Sequence, residues 1–143
     1  MSDQKNIQVA MGQVEAYNER DFDKFASLVA PDFIFNEIPT GKVIKGLEEF
    51  RQIWDIWTTA FPDNIGEIKN AFTADGDMVV LELSWSGTHQ GPLVTPDKEI
   101  PPTGKRFENG AACQLVTVMN GKVTKINHYF DILTILTQLG VIE

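Results

Sequence analysis

The chain has few of the residues that build metal and disulfide sites. Its 143 residues include one cysteine, Cys113, and two histidines. A single cysteine excludes an intrachain disulfide and any zinc site built on several cysteines, and no HExxH motif is present. The patterns GxGxxG, GxxxxGK[ST] and GxSxG are missing as well. We therefore expect no metal and no cofactor, and chemistry that acidic, basic and hydrogen-bonding side chains perform alone.

Positive charge and long apolar runs are also scarce. Lysine and arginine number 12 against 20 aspartates and glutamates, which gives a net charge of −8. A negatively charged chain is a poor match for nucleic acid or for an anionic membrane. No stretch reaches the length of a membrane span, and the first residues lack the apolar run of a signal peptide. The expectation is a cytoplasmic protein with neither nucleic-acid nor membrane partners.

The pattern of apolar residues predicts one α+β domain over residues 1–143, since no linker or low-complexity tract divides it. Helical spacing recurs in residues 7–17, 22–29 and 47–60, and FIFNEI between them has strand composition. Four period-two stretches follow from residue 65 onward, with hairpin signals at ADGD and MNGK. Helices against an antiparallel sheet are the α+β arrangement. A strongly curved sheet would leave a hollow for a ligand pocket beneath the helices.

One short sequence occurs twice, as IPTGK at 38–42 and PPTGK at 101–105. Pro followed by Thr-Gly is typical of turns, so two similar turns explain the repeat better than a duplicated unit. The second copy ends a proline-rich segment between Gly91 and Gly104. We expect this segment to cross one rim of the sheet as a loop.

His89 follows the strand in DMVVLELSWSGTHQ. The odd positions 79–85, which end at Trp85, form its apolar face, and the same parity continued without a bulge adds His89 to that face. Gly87 weakens the continuation, because glycine often marks a bulge. His89 is then either a pocket group or a structural histidine bonded to a backbone carbonyl.

The last strand, KVTKINHYFD, leaves two parities open. If Val123 points inward and the alternation is unbroken, the inward residues are Asn127, Tyr129 and Asp131. The opposite parity turns a different set inward, namely Ile126, His128 and Phe130. A buried Asp131 would have a raised pKa and become a usable acid or base near neutral pH. The simpler interpretation is that Asp131 caps a short helix that follows it.

The chain contains the motifs NERDFDKFASLVAPDFIFN, GLEEFRQIWDIWTTAFPD, GTHQG, PPTGKRFE, and NGK followed by FD and QLG. Together they resemble the SnoaL-like polyketide cyclases (ester cyclase family) of the nuclear-transport-factor-2-like superfold. The resemblance covers nearly the whole chain and implies a cone-shaped α+β barrel with a deep pocket, in a homo-oligomer (dimer or tetramer). Characterised members close a ring of an aromatic polyketide ester by intramolecular aldol condensation, without metal or cofactor.

The resemblance also implies roles for individual residues. The family's proposed acid/base, in the FD before QLG, falls on Asp131, and the histidine of its GTHxG motif falls on His89 as a donor near the substrate carbonyl. The resemblance also favours the parity of the last strand that points Asn127, Tyr129 and Asp131 inward. Members often carry tryptophan where this chain has Asn127, and LVTPDKEIPPTG is a little longer than usual. Both departures affect the expected substrate more than the fold.

Aromatic residues are the expected wall of the pocket, although core packing is the simpler interpretation for each. Together with two residues of the last strand they form the expected substrate-binding set: Tyr17, Trp54, Trp57, Trp85, Asn127 and Tyr129. The leading hypothesis is a cofactor-free cyclase or related carbon-acid enzyme acting on a hydrophobic small molecule. The alternatives are a dehydratase or isomerase in the same pocket, and a non-catalytic ligand-binding or oligomerisation domain. The catalytic hypothesis requires Asp131 and His89 to open onto one cavity.

Overall fold

The computed structural model describes residues 3–142, which form helices on one side of a curved sheet. The helices are α1 (Asp3–Asn18), α2 (Phe22–Leu28), α3 (Gly46–Ala60) and α4 (Ile132–Gln138). α3 buries the apolar stripe seen in the sequence, whereas the buried residues of α1 include the polar Gln13 beside Ala10 and Val14. The side chain of Asp21 caps α2 by accepting from the Lys24 amide. No described helix is both long and apolar enough to cross a membrane.

Six strands form the main sheet in the order β2-β1-β8-β7-β4-β3. The strands of the chain are β1 (Val29–Glu37), β2 (Lys42–Lys45), β3 (Ile65–Thr73), β4 (Met78–Thr88), β5 (Leu93–Val94), β6 (Glu99–Ile100), β7 (Arg106–Met119) and β8 (Lys122–Phe130). Neighbours in the main sheet run antiparallel except β1 and β8, which are parallel. The predicted α+β class with a curved, mostly antiparallel sheet is confirmed.

The hairpin between β7 and β8 lies where the Asn-Gly pair of MNGK predicted it. Asn120 and Gly121 both have positive φ, 53° and 77°. A two-residue turn of this kind needs left-handed backbone at both positions, which asparagine and glycine tolerate better than other residues. Its twist matches that of the flanking strands, so the Asn-Gly pair determines where the chain reverses.

Two features depart from the expected element order. β2 is a four-residue edge strand with half-exposed alternation, too short to stand out in the sequence. The proline-rich segment is not a plain loop, because β5 and β6 pair within it and bury Leu93 and Ile100 against the end of α3. These two apolar residues anchor the segment over the rim.

The main core lies between the concave face of the sheet and helices α1 to α3. An aromatic cluster fills its centre: Phe25 of α2 stacks on Phe50 of α3 with ring centroids 4.7 Å apart. Phe33 of β1 and Trp54 of α3 meet Phe25 edge-on at 5.9 and 5.6 Å. Aromatic edges and faces attract each other in these arrangements, so the cluster holds the helices at a set distance from the sheet.

Candidate functional site

A cavity of about 80 Å³ lies between the sheet and the helices. Most of its wall is aromatic or aliphatic, and six polar residues complete it: Gln13, Tyr17, Glu37, Asn64, Gln114 and His128. For comparison, an apolar cavity of about 150 Å³ binds benzene. At this volume the cavity holds a few water molecules or a small fragment, and a larger ligand requires wall side chains to move.

Four residues of the predicted substrate-binding set line this cavity: Tyr17, Trp54, Trp57 and Trp85. Tyr17 meets Trp54 and Trp85 edge-on, with ring centroids 5.1 and 5.5 Å away. Residues from the helical stripes and from the apolar face of β4 thus meet at one cavity. Their contact with a substrate stays a prediction.

The side chains of β8 that point into the protein are at odd positions before a bulge in the strand and at even positions after it. Its pairing with β7 shifts register between Thr117 and Val118, and Thr124 is left as an extra residue. A bulge of this kind turns the following side chains to the other face of the sheet. The buried side of β8 therefore holds Val123 before the bulge and Ile126, His128 and the half-buried Phe130 after it. The two parities that the sequence left open both occur, one on each side of the bulge.

The prediction that Asn127, Tyr129 and Asp131 point into the pocket is wrong. All three lie on the outer side of β8 or just beyond its end, and none lines this cavity; Tyr129 and Asp131 border a second, more open pocket instead. Asn127 accepts a hydrogen bond from Asn36 Nδ2 at 2.8 Å, and Tyr129 is 42% exposed. The physical reason is the bulge at Thr124, which reverses the alternation that the resemblance had favoured.

Asp131 is the N-cap of α4 and is exposed. Its Oδ1 accepts from the Thr134 amide at 3.0 Å and its Oδ2 from the Thr134 hydroxyl at 2.6 Å. These two hydrogen bonds favour the charged carboxylate and lower the pKa of Asp131. A general base near neutral pH would need the opposite shift. The catalytic role that the resemblance implies for Asp131 stays a prediction to which this geometry lends no support.

Asp131→Ala is expected to lower the melting temperature, because the first amides of α4 lose their side-chain acceptor. Asp131→Asn keeps a side-chain oxygen at the same position and is expected to melt close to the wild type. Differential scanning fluorimetry on the two variants measures this difference. Equal melting temperatures for both variants and the wild type would mean that the cap contributes nothing.

His89 is fully buried, as its place on the apolar parity predicts, but it does not line the cavity. It lies just beyond β4, after a register shift between Trp85 and Gly87. Its Nδ1 accepts from the Thr103 amide at 3.2 Å, and its ring lies 5.3 Å from Phe61. Burial lowers the pKa of His89. The expectation that His89 and Asp131 open onto one cavity is therefore wrong.

Glu37 is the acid that the cavity does contain. It is the last residue of β1, is 3% exposed, and lines the wall. Its Oε1 accepts from the Thr40 hydroxyl at 2.7 Å and its Oε2 from Trp57 Nε1 at 3.1 Å. Each carboxylate oxygen keeps a further lone pair for a ligand. The two contacts therefore orient the carboxylate and leave lone pairs free for a ligand.

Glu37 was not among the residues predicted for the site, although two features of the sequence pointed to it. Phe33, Phe35 and Glu37 share one parity of β1, so the acid continues a buried apolar face. The repeated Pro-Thr-Gly turn follows it directly, and the turn's Thr40 bonds its carboxylate. The second copy of the turn has an equivalent contact, since its Thr103 hydrogen-bonds to the buried His89. The repeat marks two threonines that partner buried titratable groups.

His128 is buried between aromatic rings on the cavity wall. Its imidazole stacks on Phe130 with centroids 5.0 Å apart and lies 5.8 Å from Phe35. Burial away from water penalises the charged ring and lowers the pKa of His128 to about 4. The imidazole is therefore neutral near pH 7, and one of its nitrogens carries a hydrogen that it can donate.

Glu37 and His128 are neighbours across the parallel pair of strands β1 and β8. Their Cα atoms are partners in the register, and the amide of Ile38 donates to the His128 carbonyl at 3.0 Å. Side chains at paired positions emerge on the same face, so carboxylate and imidazole lie side by side on the cavity wall. The Glu37 carboxylate, an acceptor, and the neutral His128 imidazole, a donor, thus lie next to one largely apolar cavity.

Tyr17 and Asn64 add a second polar pair to the wall. The Tyr17 hydroxyl donates to Asn64 Oδ1 at 2.6 Å, and Asn64 Nδ2 donates to the Ser86 carbonyl at 2.9 Å. Burial raises the pKa of Tyr17, so the hydroxyl stays protonated. Because its hydrogen is given to Asn64, Tyr17 offers a ligand a lone pair. Within residues 3–142, no three His, Cys, Asp or Glu side chains are grouped so that they could hold a metal ion.

Comparison with known proteins gives one clear family match. The model of the SnoaL-like polyketide cyclase family matches residues 8–139. No curated protein matches the sequence at a significant level.

Solved structures share the fold at low sequence identity. A proposed SnoaL-like polyketide cyclase from Jannaschia sp. CCS1 has a TM-score of 0.84 at 19% identity, covering 99% of this chain and 95% of that chain. AclR, a proposed hydroxylase from Streptomyces galilaeus, has a TM-score of 0.82 at 22% identity, with 99% and 100% covered. A protein with a ketosteroid isomerase-like fold from Catenulispora acidiphila DSM 44928 has a TM-score of 0.76 at 17% identity, with 93% and 92% covered. The predicted resemblance and superfold are confirmed, and the differing descriptions show that this fold alone does not specify a reaction.

Proposed function

Because the chain belongs to the SnoaL-like polyketide cyclase family, we propose that it catalyses proton transfer at a carbon next to a carbonyl group, with Glu37 as the general base. The observation that carries the proposal is the buried Glu37 carboxylate, which lines an aromatic cavity beside the neutral imidazole of His128. The substrate class is an apolar small molecule with a carbonyl oxygen. Ring closure of the aldol type begins with this proton transfer, as does isomerisation of a double bond next to a carbonyl.

The proposed reaction needs only groups of the cavity wall. Glu37 takes a proton from the carbon, and the electron pair of that bond moves onto the carbonyl oxygen as an enolate. A hydrogen bond from His128 stabilises the developing oxyanion in a site whose wall is mostly apolar. The enolate carbon then attacks a second carbonyl of the same molecule, and the proton on Glu37 passes to the new alkoxide. A positioned general base contributes roughly 100-fold or more to such a step.

The apolar wall supports the same proposal. Trp54, Trp57 and Trp85 surround the polar pair with low-dielectric surface, in which a charge developing on the substrate interacts more strongly with nearby dipoles. Trp57 has a second role, because its indole N–H donates a hydrogen bond to one carboxylate oxygen of Glu37. This contact fixes the direction from which a carbon-bound proton must approach the carboxylate.

Glu37→Gln is expected to lose the reaction while the fold is kept, since the amide is similar in size to the carboxylate but is not a base. A suitable probe is 5-nitrobenzisoxazole, which releases a coloured nitrophenolate when a base removes its carbon-bound proton and its N–O bond breaks. The wild type should accelerate this release, and Glu37→Gln should reduce kcat/KM roughly 100-fold. Circular dichroism of the variant checks that the fold is intact.

Asp131→Asn and His89→Gln are the matched controls, since both residues lie away from the cavity. We expect each to keep the wild-type rate with the probe. The proposal is contradicted if the wild type is no faster than Glu37→Gln. It is contradicted equally if Asp131→Asn loses the rate while Glu37→Gln keeps it, a result that would restore the role implied by the resemblance.

A further inference from the structure

We propose that Gln13 and Gln114 are positioning residues that hold His128 in the tautomer protonated on Nε2, so that the cavity presents one N–H donor to an oxygen of its ligand. The catalytic consequence rests on the proposed function above, whereas the tautomer itself does not. The two glutamines come from α1 and β7, and His128 comes from β8. Tertiary packing alone brings the three side chains together.

The hydrogen bonds run in one direction through the three residues. Gln13 Nε2 donates to Gln114 Oε1 at 2.7 Å, and Gln114 Nε2 lies 3.2 Å from His128 Nδ1. Gln114 and His128 are also partners in the register of β7 and β8. All three residues are buried, with exposed fractions of 3%, 4% and 9%. Water is thus largely excluded from the chain of hydrogen bonds.

The direction of this chain decides the tautomer. The oxygen of Gln114 accepts from Gln13, so the group that Gln114 turns towards His128 is its NH₂. An amide NH₂ only donates, and Nδ1 must therefore offer a lone pair. In a neutral imidazole the remaining hydrogen is then on Nε2. The lowered pKa of His128 agrees with this, because burial leaves the ring uncharged.

The nitrogen of His128 that remains for a ligand is Nε2. Gln114 engages Nδ1, and the residue lines the cavity with 9% of its surface exposed. Phe130 and Phe35 hold the ring plane, so the N–H direction is set before any ligand binds. Such preorganisation is what makes a donor effective towards an oxyanion.

The two polar groups on the cavity wall define the chemistry of a matching ligand. The site offers an acceptor at Glu37 and a donor at His128, on neighbouring strands. A matching ligand presents an acidic C–H or O–H to the first and a carbonyl or enolate oxygen to the second. Were the amides of Gln13 and Gln114 reversed, His128 would present a bare nitrogen. The cavity would then hold two acceptors and would not stabilise an oxyanion.

Nitrogen NMR of the imidazole ring tests the tautomer directly. In a ¹⁵N-labelled protein, two-bond correlations from the ring protons distinguish a protonated from an unprotonated nitrogen. For the wild type, above the pH at which the ring titrates, we expect a protonated Nε2 and an unprotonated Nδ1. Gln114→Glu places an acceptor against Nδ1 and should move the hydrogen there. Gln114→Met removes the donor without adding an acceptor and should give a mixture of the two tautomers.

The same variants test the catalytic consequence. With 5-nitrobenzisoxazole, Gln114→Glu should lower kcat roughly 100-fold with little change in KM, because the developing phenolate loses its donor. Glu37→Gln is the matched control, since it should lose the rate and keep the wild-type tautomer. A wild type protonated on Nδ1, or a Gln114→Glu variant with an unchanged ring, overturns the positioning role. A switched tautomer with an unchanged kcat overturns the donor role.

The NMR result remains decisive if the proposed function fails. If the wild type shows no proton abstraction, the function is wrong, while the ring spectra of the wild type, Gln114→Glu and Gln114→Met still confirm or refute the tautomer. If Gln114→Glu does not fold, Gln114→Met carries the test, because it replaces the amide by an apolar side chain of similar length.

Discussion

Phe25→Ala is expected to lower the free energy of unfolding by about 4 kcal/mol. Phe25 is 1% exposed and stacks on Phe50, with Phe33 and Trp54 edge-on to its ring. Truncation removes these contacts and leaves a hole that the backbone of α2 and the sheet cannot close. Urea unfolding followed by tryptophan fluorescence measures the loss as a lower midpoint with an unchanged slope.

Phe72→Ala is the matched control for this prediction. It makes the same phenylalanine-to-alanine change on β3, where the side chain of Phe72 lies outside the core and is 52% exposed. We expect a change within about 0.5 kcal/mol. If the two variants unfold at the same urea concentration, the aromatic cluster does not carry the stability assigned to it. Because Phe25 also lines the cavity, its truncation should in addition admit ligands with one more ring.

Acidification is expected to cost roughly 3 kcal/mol of stability through His128 alone. Burial lowers the pKa of His128 from 6.5 to about 4 in the folded protein. Above pH 6.5 neither state binds the proton, and His128 adds no pH dependence. Between pH 6.5 and 4 the unfolded chain binds a proton that the folded chain excludes, so stability falls with the pH. Below about pH 4 both states are protonated and the loss through His128 is complete.

Comparison with His128→Gln isolates this contribution. Other groups also titrate in the acid range, and burial lowers the pKa of His89 in the same direction. The difference in unfolding free energy between wild type and variant, measured by urea titration at several pH values, should decline from pH 6.5 to 4 and be flat above. NMR titration of the wild-type ring gives the pKa directly. A His128 that titrates near 6.5 would contradict the buried position.

Much of the architecture could be predicted from local patterns. The stripe of α3 brought Trp54 and Trp57 to the cavity, and the alternation of β4 buried positions 79, 81 and 83 and half-buried Trp85. Each inference depends on residues close together in the chain, where period and side-chain direction are linked. The Asn-Gly hairpin belongs to the same class, because its backbone conformation is a property of two residues.

The candidate site was predicted less well, for two physical reasons. The first is the bulge at Thr124, an extra residue in β8 that no sequence signal marks and that reverses the parity of Asp131 and its neighbours. The second is the parallel pairing of β1 with β8, which places Glu37 beside His128. Parallel partners come from distant parts of the chain, so neither residue carries a local sign of the other.

The sequence by itself determined the α+β class and the absence of the common metal, nucleotide and nucleophile motifs, because composition and short-range periodicity report these directly. Only the tertiary structure decided which polar groups share the cavity. It placed Asp131 on a helix cap and His89 beneath a turn, and it brought Glu37, His128, Gln13 and Gln114 together. That choice depends on strand register and on one bulge, which follow from how the whole sheet packs against its helices.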